Sequence, residues 1–538
     1  MRRGAGRRAH RLLTHPVPLW IAFVVVHLVV GAVALGFPNG TGIGDVRAIY
    51  PAWIEQGLSR HVWVGIQTSW VYPILALPPM IASNLFGPDR IAPTWLSLVF
   101  VVDAVAFAFV TGFGRDRRGA LAAWWWLALL LLLGPIALTR IDSFATAAAL
   151  VGVLLLVRAP RAAGVLLAVG AWIKVWPAAL VAAAVVALRR RVDVALGALV
   201  LSAVVVAGAL LLGGGAHVFS FVTAQSGRGL QIEAGLATPW LWIAAAHPGG
   251  PVSVYYDTTI LTYQVQGAGV PATAALATPL LVVAVGAVLV LGILIARRGT
   301  SAADLLPALT LGFTTALIVA NKVGSPQYIG WLAVPIVLGL AVRATGRGMP
   351  FTGPALLTLV TAALTQLVYP FFYDDVLRLQ PLILAVLTAR NLLLLVLFAW
   401  ALALLVRLLR RPSPRTRMGS GCRTSGRSAH LAKGSPDARR LLRRPLRRPR
   451  RRGGRLRARR GGRSRAGRPR VGPAEPHRRD VHDGRGEWDE VFDVVRRATE
   501  AVGAYGTRVS LVLKADIRPG RTGELTGKVE RLERALES

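Results

Sequence analysis

Apolar stretches of about 17–25 residues, the length a helix needs to cross a bilayer, recur through the first 410 residues. They fall at about 17–36, 92–113, 119–138, 142–158, 193–213, 271–297, 302–320, 327–343, 352–370 and 380–407. The pattern predicts an all-α polytopic membrane protein with about ten full spans plus short or re-entrant helices. Two apolar regions break the rule. Residues 72–86 are short and interrupted by Pro78 and Pro79, which predicts a re-entrant segment bordering a sideways opening to the bilayer. Residues 162–188 are split by Lys174-Val-Trp-Pro, which predicts a hairpin of two short helices.

Positive charge orients these elements. With 72–86 re-entrant and 162–188 a hairpin, every arginine cluster falls on one side: the N-terminus, 115–118, 158–161, 189–191, 297–298, 343–347 and 407–412. That side is predicted to be cytoplasmic, with both termini on it and the protein in the plasma membrane. The N-terminal MRRGAGRRAHRLL is read as a cytoplasmic flank, because no small-residue cleavage site follows it. The loops on the other side are 38–72, 139–142, the Lys174 corner, 214–270, 321–328 and 369–375. These carry the unusual polar residues, and interrupted helices at membrane depth are tolerated where they line a wet cavity. A cavity open to the extracytoplasmic face is therefore expected.

Composition then separates the tail from the rest. The chain has 538 residues, 54% of them hydrophobic, and a formal net charge of +37. Between Arg411 and Asp480 there are 25 Lys and Arg against three acidic residues, so 22 of those charges sit in one stretch without apolar periodicity. Residues 411–485 are predicted to be disordered. The charge therefore belongs to the tail and implies no nucleic-acid partner. The single cysteine, Cys422, excludes a disulfide framework and any cysteine-built metal site. Residues 486–538 read as helix, strand and helix, a small α/β segment.

Several positions carry candidate chemistry, each with a plainer reading beside it. Asp45 follows Gly44 and opens an amphipathic pattern; it is either a helix cap or a general base. Arg140 and Asp142 flank one residue at a helix junction, either as an interfacial pair or with Asp142 holding Arg140 toward a phosphate. Lys174, between Trp172 and Trp176, either snorkels to the interface or pairs with a lipid phosphate. Arg228, Gln231 and Glu233 offer donors and acceptors in the longest loop, where a plain polar loop is the simpler reading. Lys322, Gln327 and Tyr328 crowd around Pro326 more densely than a solvated turn requires. Asp374 and Asp375 suit a solvated loop better than a metal site, and neither a metal nor a cofactor is expected. His217 and His247 are assigned no role.

Taken together, GDVRAIY (44–50), WVYPILAL (70–77), RID (140–142), AGVLLAVGAWIKVWP (163–177), RGLQIE (228–233), NKVGSPQYIGW (321–331) and YPFFYDD (369–375) resemble glycosyltransferase family 87 over residues 1–410. Its members are polyprenyl-phosphate-mannose-dependent α-mannosyltransferases of the C-type membrane fold. The resemblance implies inverting transfer of a mannosyl or other hexosyl group from a polyprenyl-phosphate sugar donor to a lipid or glycan acceptor. It implies that Asp45 acts at the catalytic centre and that no nucleotide sugar is used; no nucleotide-binding fingerprint is present. Arg140, Lys174, Arg228 and Lys322 become candidates to hold the phosphate. Gln231, Glu233, Gln327 and Tyr328 become candidates to position sugar or acceptor. After Leu58 the chain departs from the family pattern, with GLSRHVW at 57–63. A transporter or lipid flippase is the other reading of the spans, though no inverted internal repeat is found.

GEWDEVFDVVRRATEAV, RVSLVLKADIRPG and LTGKVERLERAL, within 486–538, resemble the second half of the small thiamine-binding proteins of ferredoxin-like fold. That resemblance implies a thiamine-binding protein fused to a membrane region, or a remnant of one. Shifting VGPAEPHRRDVHDGRG (471–486) by one nucleotide, with GC-rich codons, allows SGLPNRTDVTCTTVEG, the type of sequence that family carries before GEWDEV. Residues 411–485 therefore read as out-of-frame translation of a neighbouring gene, the plainer alternative being a genuine disordered basic tail that binds anionic lipid or nucleic acid. Resequencing the locus is expected to find a one-base insertion or deletion near the codons for Arg485 and Gly486; an intact frame contradicts this.

Overall fold

The computed structural model describes residues 14–37, 42–114, 119–224 and 227–411, with six positions between 492 and 500. It is mostly helical. Among the described residues, nine helices are long and apolar enough to cross a membrane: Pro16–Gly36, Pro88–Val110, Ala120–Ala137, Arg191–Leu211, Val270–Arg297, Ala302–Val319, Pro326–Ala344, Thr352–Phe371 and Pro381–Arg410. At about 1.5 Å per residue each reaches or exceeds the roughly 27–30 Å of a hydrocarbon core. This is compatible with a multi-pass membrane protein. The out-of-frame stretch and the α/β segment expected beyond 411 lie almost entirely outside the described residues.

The helices used below are α1 (Pro16–Gly36), α2 (Tyr50–Arg60), α3 (Leu77–Ser83), α4 (Ile91–Val110), α5 (Ala120–Leu133), α6 (Asp142–Leu155), α7 (Pro160–Ile173), α8 (Ala178–Ala187) and α9 (Arg191–Leu211). After them come α10 (Thr238–Ala246), α11 (Val270–Arg297), α12 (Ala302–Val319), α13 (Ala333–Ala344), α14 (Thr352–Gln366) and α15 (Pro381–Arg410). The break at Lys174-Val-Trp-Pro is where the spacing put it: α7 ends at Ile173 and α8 starts at Ala178. Residues 72–86 form a short turn of helix from Ile74 to Ala76 and then α3, as the paired prolines require.

One expected span is shorter than its apolar run. The stretch 142–158 contains α6, whose 14 residues cover about 21 Å. Its first residue, Asp142, is buried in the protein interior.

The all-α expectation also needs correction. The 214–270 segment contains a three-stranded antiparallel sheet in the order β1 (Leu230–Gln231), β3 (Thr262–Gln266), β2 (Ser253–Asp257). SVYYD and TYQVQ are rich in β-branched and aromatic residues, which favour a pleated half-buried surface. Tyr256 and Tyr263 form a cross-strand pair with ring centroids 4.9 Å apart. Asp257 Oδ1 accepts hydrogen bonds from the Thr259 and Ile260 amides and closes the hairpin turn.

Packing among the helices relies on small residues. A Cβ on Gly164 of α7 would lie 2.1 Å from the Val194 carbonyl oxygen, and one on Gly197 of α9 would lie 2.1 Å from that of Arg161. Reciprocal glycines let these backbones touch, as in membrane helix pairs generally. Helix α12 runs through the centre and is buried along most of its length. Its Thr310 and Thr315 hydroxyls donate to carbonyls of their own helix. Between α1 and α4, His27 Nδ1 donates to the Phe23 carbonyl, and Nε2 lies 3.2 Å from Asp103 Oδ2.

Candidate functional site

All six loops expected on one side contribute to a single cavity of about 480 Å³. Asp45 and Tyr72 come from the first, Arg140 from the break before α6, and Lys174 from the α7–α8 corner. Arg228, Gln231, Glu233, Tyr256 and Tyr263 come from the sheet-bearing segment. Ser325, Gln327 and Tyr328 precede α13, and Tyr369 and Tyr373 follow α14. Eight of the ten residues singled out by sequence therefore line one cavity. Asp142 lies beneath its floor, and Lys322 lines an adjoining groove.

Asp45 opens a short π-helical turn, Asp45–Ile49, but does not cap it, because the N-cap position is Gly44. Instead Oδ2 lies 3.3 Å from Arg140 Nε. The Asp45 side chain is 23% exposed and lines the cavity. Arg140 also donates from Nη2 to the Tyr369 hydroxyl at 3.0 Å. Tyr50 is fully buried behind the turn, with its hydroxyl accepting from the Ile141 amide at 3.2 Å.

The expected pairing of Asp142 with Arg140 does not occur. Side chains two residues apart point in different directions, and each finds a partner elsewhere. Asp142 Oδ1 accepts from Trp331 Nε1 at 2.7 Å, and Oδ2 lies 3.5 Å from Lys174 Nζ. The Lys174 ammonium sits 4.5 Å from the centre of the Tyr72 ring, within cation–π range. Its tryptophan neighbour Trp176 stacks on Trp331 at 5.3 Å rather than serving as a membrane belt residue.

Glu233 and Gln231 are held by a crossing of two loops. The Gln231 amide donates to the Lys322 carbonyl at 3.1 Å. At Gly324 the loops approach so closely that a Cβ would lie 2.2 Å from the Ala234 nitrogen. Arg390, from inside α15, clamps both by donating from Nη1 to the Glu233 carbonyl at 2.9 Å and from Nη2 to that of Gly324 at 3.1 Å. Burial raises the Glu233 carboxyl above its ordinary range, against the pull of hydrogen bonding and of Arg390. Burial and the neighbouring Arg228 cation lower the Lys322 ammonium. Two cations this close favour an anion between them.

Sequence reading missed Arg390 and the tyrosines at 256 and 263. An arginine in a membrane-length helix is by itself a pointer, and Arg390 had that signal. The two tyrosines lay in a segment read only as a polar loop. Asp374 and Asp375 lie in a short helix, Tyr373–Leu377, and only their neighbour Tyr373 reaches the cavity.

Comparison with known proteins concerns the other end of the chain. The family described as thiamine-binding protein matches residues 485–533. UPF0045 protein Mb1933 of Mycobacterium bovis and UPF0045 protein MT1949 of Mycobacterium tuberculosis are each 55% identical to this chain over 49 residues, 9% of its length and 48% of theirs. The chain thus spans about half the length of the curated relatives it matches. No solved structure matches. The thiamine-binding-like segment expected from 486 is therefore present in the sequence.

Removing Lys174 leaves Asp142 buried with Trp331 as its remaining partner. Lys174→Met is expected to lower thermal stability by about 3–5 kcal/mol, the cost of breaking a buried pair. The double variant Lys174→Met with Asp142→Asn is expected to recover much of it. Thermal unfolding of the purified protein measures both; equal loss in single and double variants contradicts the pairing.

Proposed function

We propose that residues 1–410 form a membrane glycosyltransferase that takes a mannosyl or other hexosyl group from a polyprenyl-phosphate carrier. The observation that supports this most is the convergence of six loops on one cavity holding two carboxylates, three cations and a wall of tyrosines. The sequence resemblance over the same residues points the same way. In this reading the cavity faces the extracytoplasmic side, and the loops rich in arginine face the cytoplasm.

The chemistry follows from the chain's own groups. Asp45 Oδ1 takes the acceptor hydroxyl's proton as that oxygen attacks the anomeric carbon. The bond from that carbon to the phosphate oxygen breaks, the electron pair leaves with the phosphate, and the configuration inverts. Lys174, Arg228 and Lys322 hold the charge that develops on the phosphate. Arg140 fixes Asp45 Oδ2, which aims the other oxygen at the acceptor. Asp142 orients Lys174 from below, so it positions a cation without meeting substrate itself. Gln231, Glu233, Gln327 and Tyr328 offer hydrogen bonds to sugar hydroxyls, and the tyrosine rings offer faces for the sugar ring.

For the tail we propose a partial thiamine-binding-type segment preceded by out-of-frame sequence. The onset of the family match at 485, where the Arg-rich stretch ends, supports that division.

Asp45→Asn keeps size and polarity but cannot take a proton. Transfer from labelled polyprenyl-phosphate-mannose in membranes is expected to fall by about 10²–10⁴-fold per folded protein. Transfer at the wild-type rate overturns the assignment.

A further inference from the structure

Four helices share the far end of the bundle. α11, α13 and α15 start shortly after the cavity-lining Tyr263, Tyr328 and Tyr373, and α12, running the other way, ends shortly before Ser325. Their opposite ends meet. Arg298, after α11, donates to the Leu409 carbonyl in the last turn of α15. Arg411 Nη1 lies 3.6 Å from Asp304 Oδ1 in the first turn of α12, and its Nη2 donates to Met349 Sδ at 2.9 Å. A Cβ on Gly348, beyond α13, would lie 3.2 Å from the Ala303 carbonyl oxygen.

This corner is strongly basic. Residues 297–304, 343–349 and 407–411 carry seven arginines, and Asp304 is the one acidic residue in those segments. Arginines at helix C-termini have a plain duty, which is to complement the negative end of the dipole. Arg298 does so directly, and Asp304 neutralises Arg411. Arg297, Arg343, Arg347, Arg407 and Arg410 are exposed, and none pairs with a described residue.

Three of these five top apolar stripes. On α11, Val283, Val290 and Leu294 are exposed, and Arg297 continues the same helical face. On α15, Val396, Trp400 and Ala403 are exposed in steps of four and three, and Arg407 and Arg410 extend that series. The two stripes finish side by side, because Arg298 ties the helix ends together. Apolar stripes on membrane-length helices fit acyl chains, and unpaired cations at their ends fit an acidic headgroup. A soluble polyanion would use the cations and leave the stripes unused.

We infer that the ends of α11 and α15 form a binding site for an anionic glycerophospholipid. Arg297, Arg407 and Arg410 surround its phosphate, and its chains lie along the two stripes. Arg343 and Arg347 add to the field that attracts it. Bound there, the headgroup relieves the repulsion among like charges that helix packing brings together. The site lies away from the cavity and is independent of the transfer chemistry.

Phosphatidylglycerol with a photoreactive group in one acyl chain tests this at low mole fraction in phosphatidylcholine nanodiscs holding the full-length protein. Adducts are mapped by mass spectrometry, and association is read from the dependence of labelling on mole fraction. Labelling is expected within 283–294 and 396–403, with the photoreactive phosphatidylcholine analogue roughly tenfold weaker there. Combining Arg297→Gln, Arg407→Gln and Arg410→Gln is expected to weaken association about a hundredfold, at about fivefold per arginine. Combining Arg158→Gln, Arg189→Gln and Arg191→Gln removes the same charge elsewhere on the predicted arginine-rich side and is expected to leave association unchanged. Equal loss in both triple variants means diffuse attraction and overturns the site. Unchanged association in the first variant assigns the lipid to the basic tail and also overturns it. Displacement by glycerophosphoglycerol, the headgroup without chains, does the same. The comparison of the two lipids on the unaltered protein needs no variant to fold, and equal labelling by both contradicts the inference.

Discussion

Two crossed ion pairs at the break before α6 anchor the arrangement of the cavity. Arg140 reaches across to Asp45, and Asp142, two residues on, reaches down to Lys174. Charges this deep are expensive to leave alone, so each must bring its partner's segment to it. The pair Arg140–Asp45 draws the first loop onto the α5–α6 junction. The pair Asp142–Lys174 draws the α7–α8 corner beneath it, and Trp331 closes the third side by donating to the same aspartate. Such pairs add little net stability compared with apolar packing, but they admit only one arrangement. That arrangement places Asp45 in a cavity it shares with Glu233, three cations and a wall of tyrosines.

The second structural constraint is the crossing of the 230–234 and 321–326 segments under Arg390. Gly324 lets the backbones touch, and the guanidinium ties one carbonyl from each. This fixes Glu233 in the cavity wall. Irregular backbone at this depth is stable because protein surrounds it and the cavity solvates what remains.

Much of this was legible in the sequence. Helix-length apolar runs located the spans, and Lys174-Val-Trp-Pro located the α7–α8 break, because a proline and a charge cannot sit inside a membrane helix cheaply. Eight of the ten candidate residues proved to share a cavity because each stood out as polar where hydrophobicity was the norm. What could not be read was the pairing. Arg140 and Asp142 are near neighbours in sequence, yet their partners are about 95 and 32 positions away in the chain. Tertiary proximity of that kind leaves no local trace. The sheet was hidden for a different reason: its strands are at most five residues long and only half-buried, so no clean alternation marks them. The burial of Asp142 at the start of α6 is likewise not encoded by an apolar run.

The proposed transfer reaction calls only on residues 1–410. Membranes containing the protein, incubated with polyprenyl-phosphate-mannose labelled in the sugar, decide the matter most directly. The label is expected to move from the carrier into a new glycosylated product, with free polyprenyl phosphate released in equal amount. Label remaining on the carrier, at the level seen in membranes lacking the protein, contradicts the assignment.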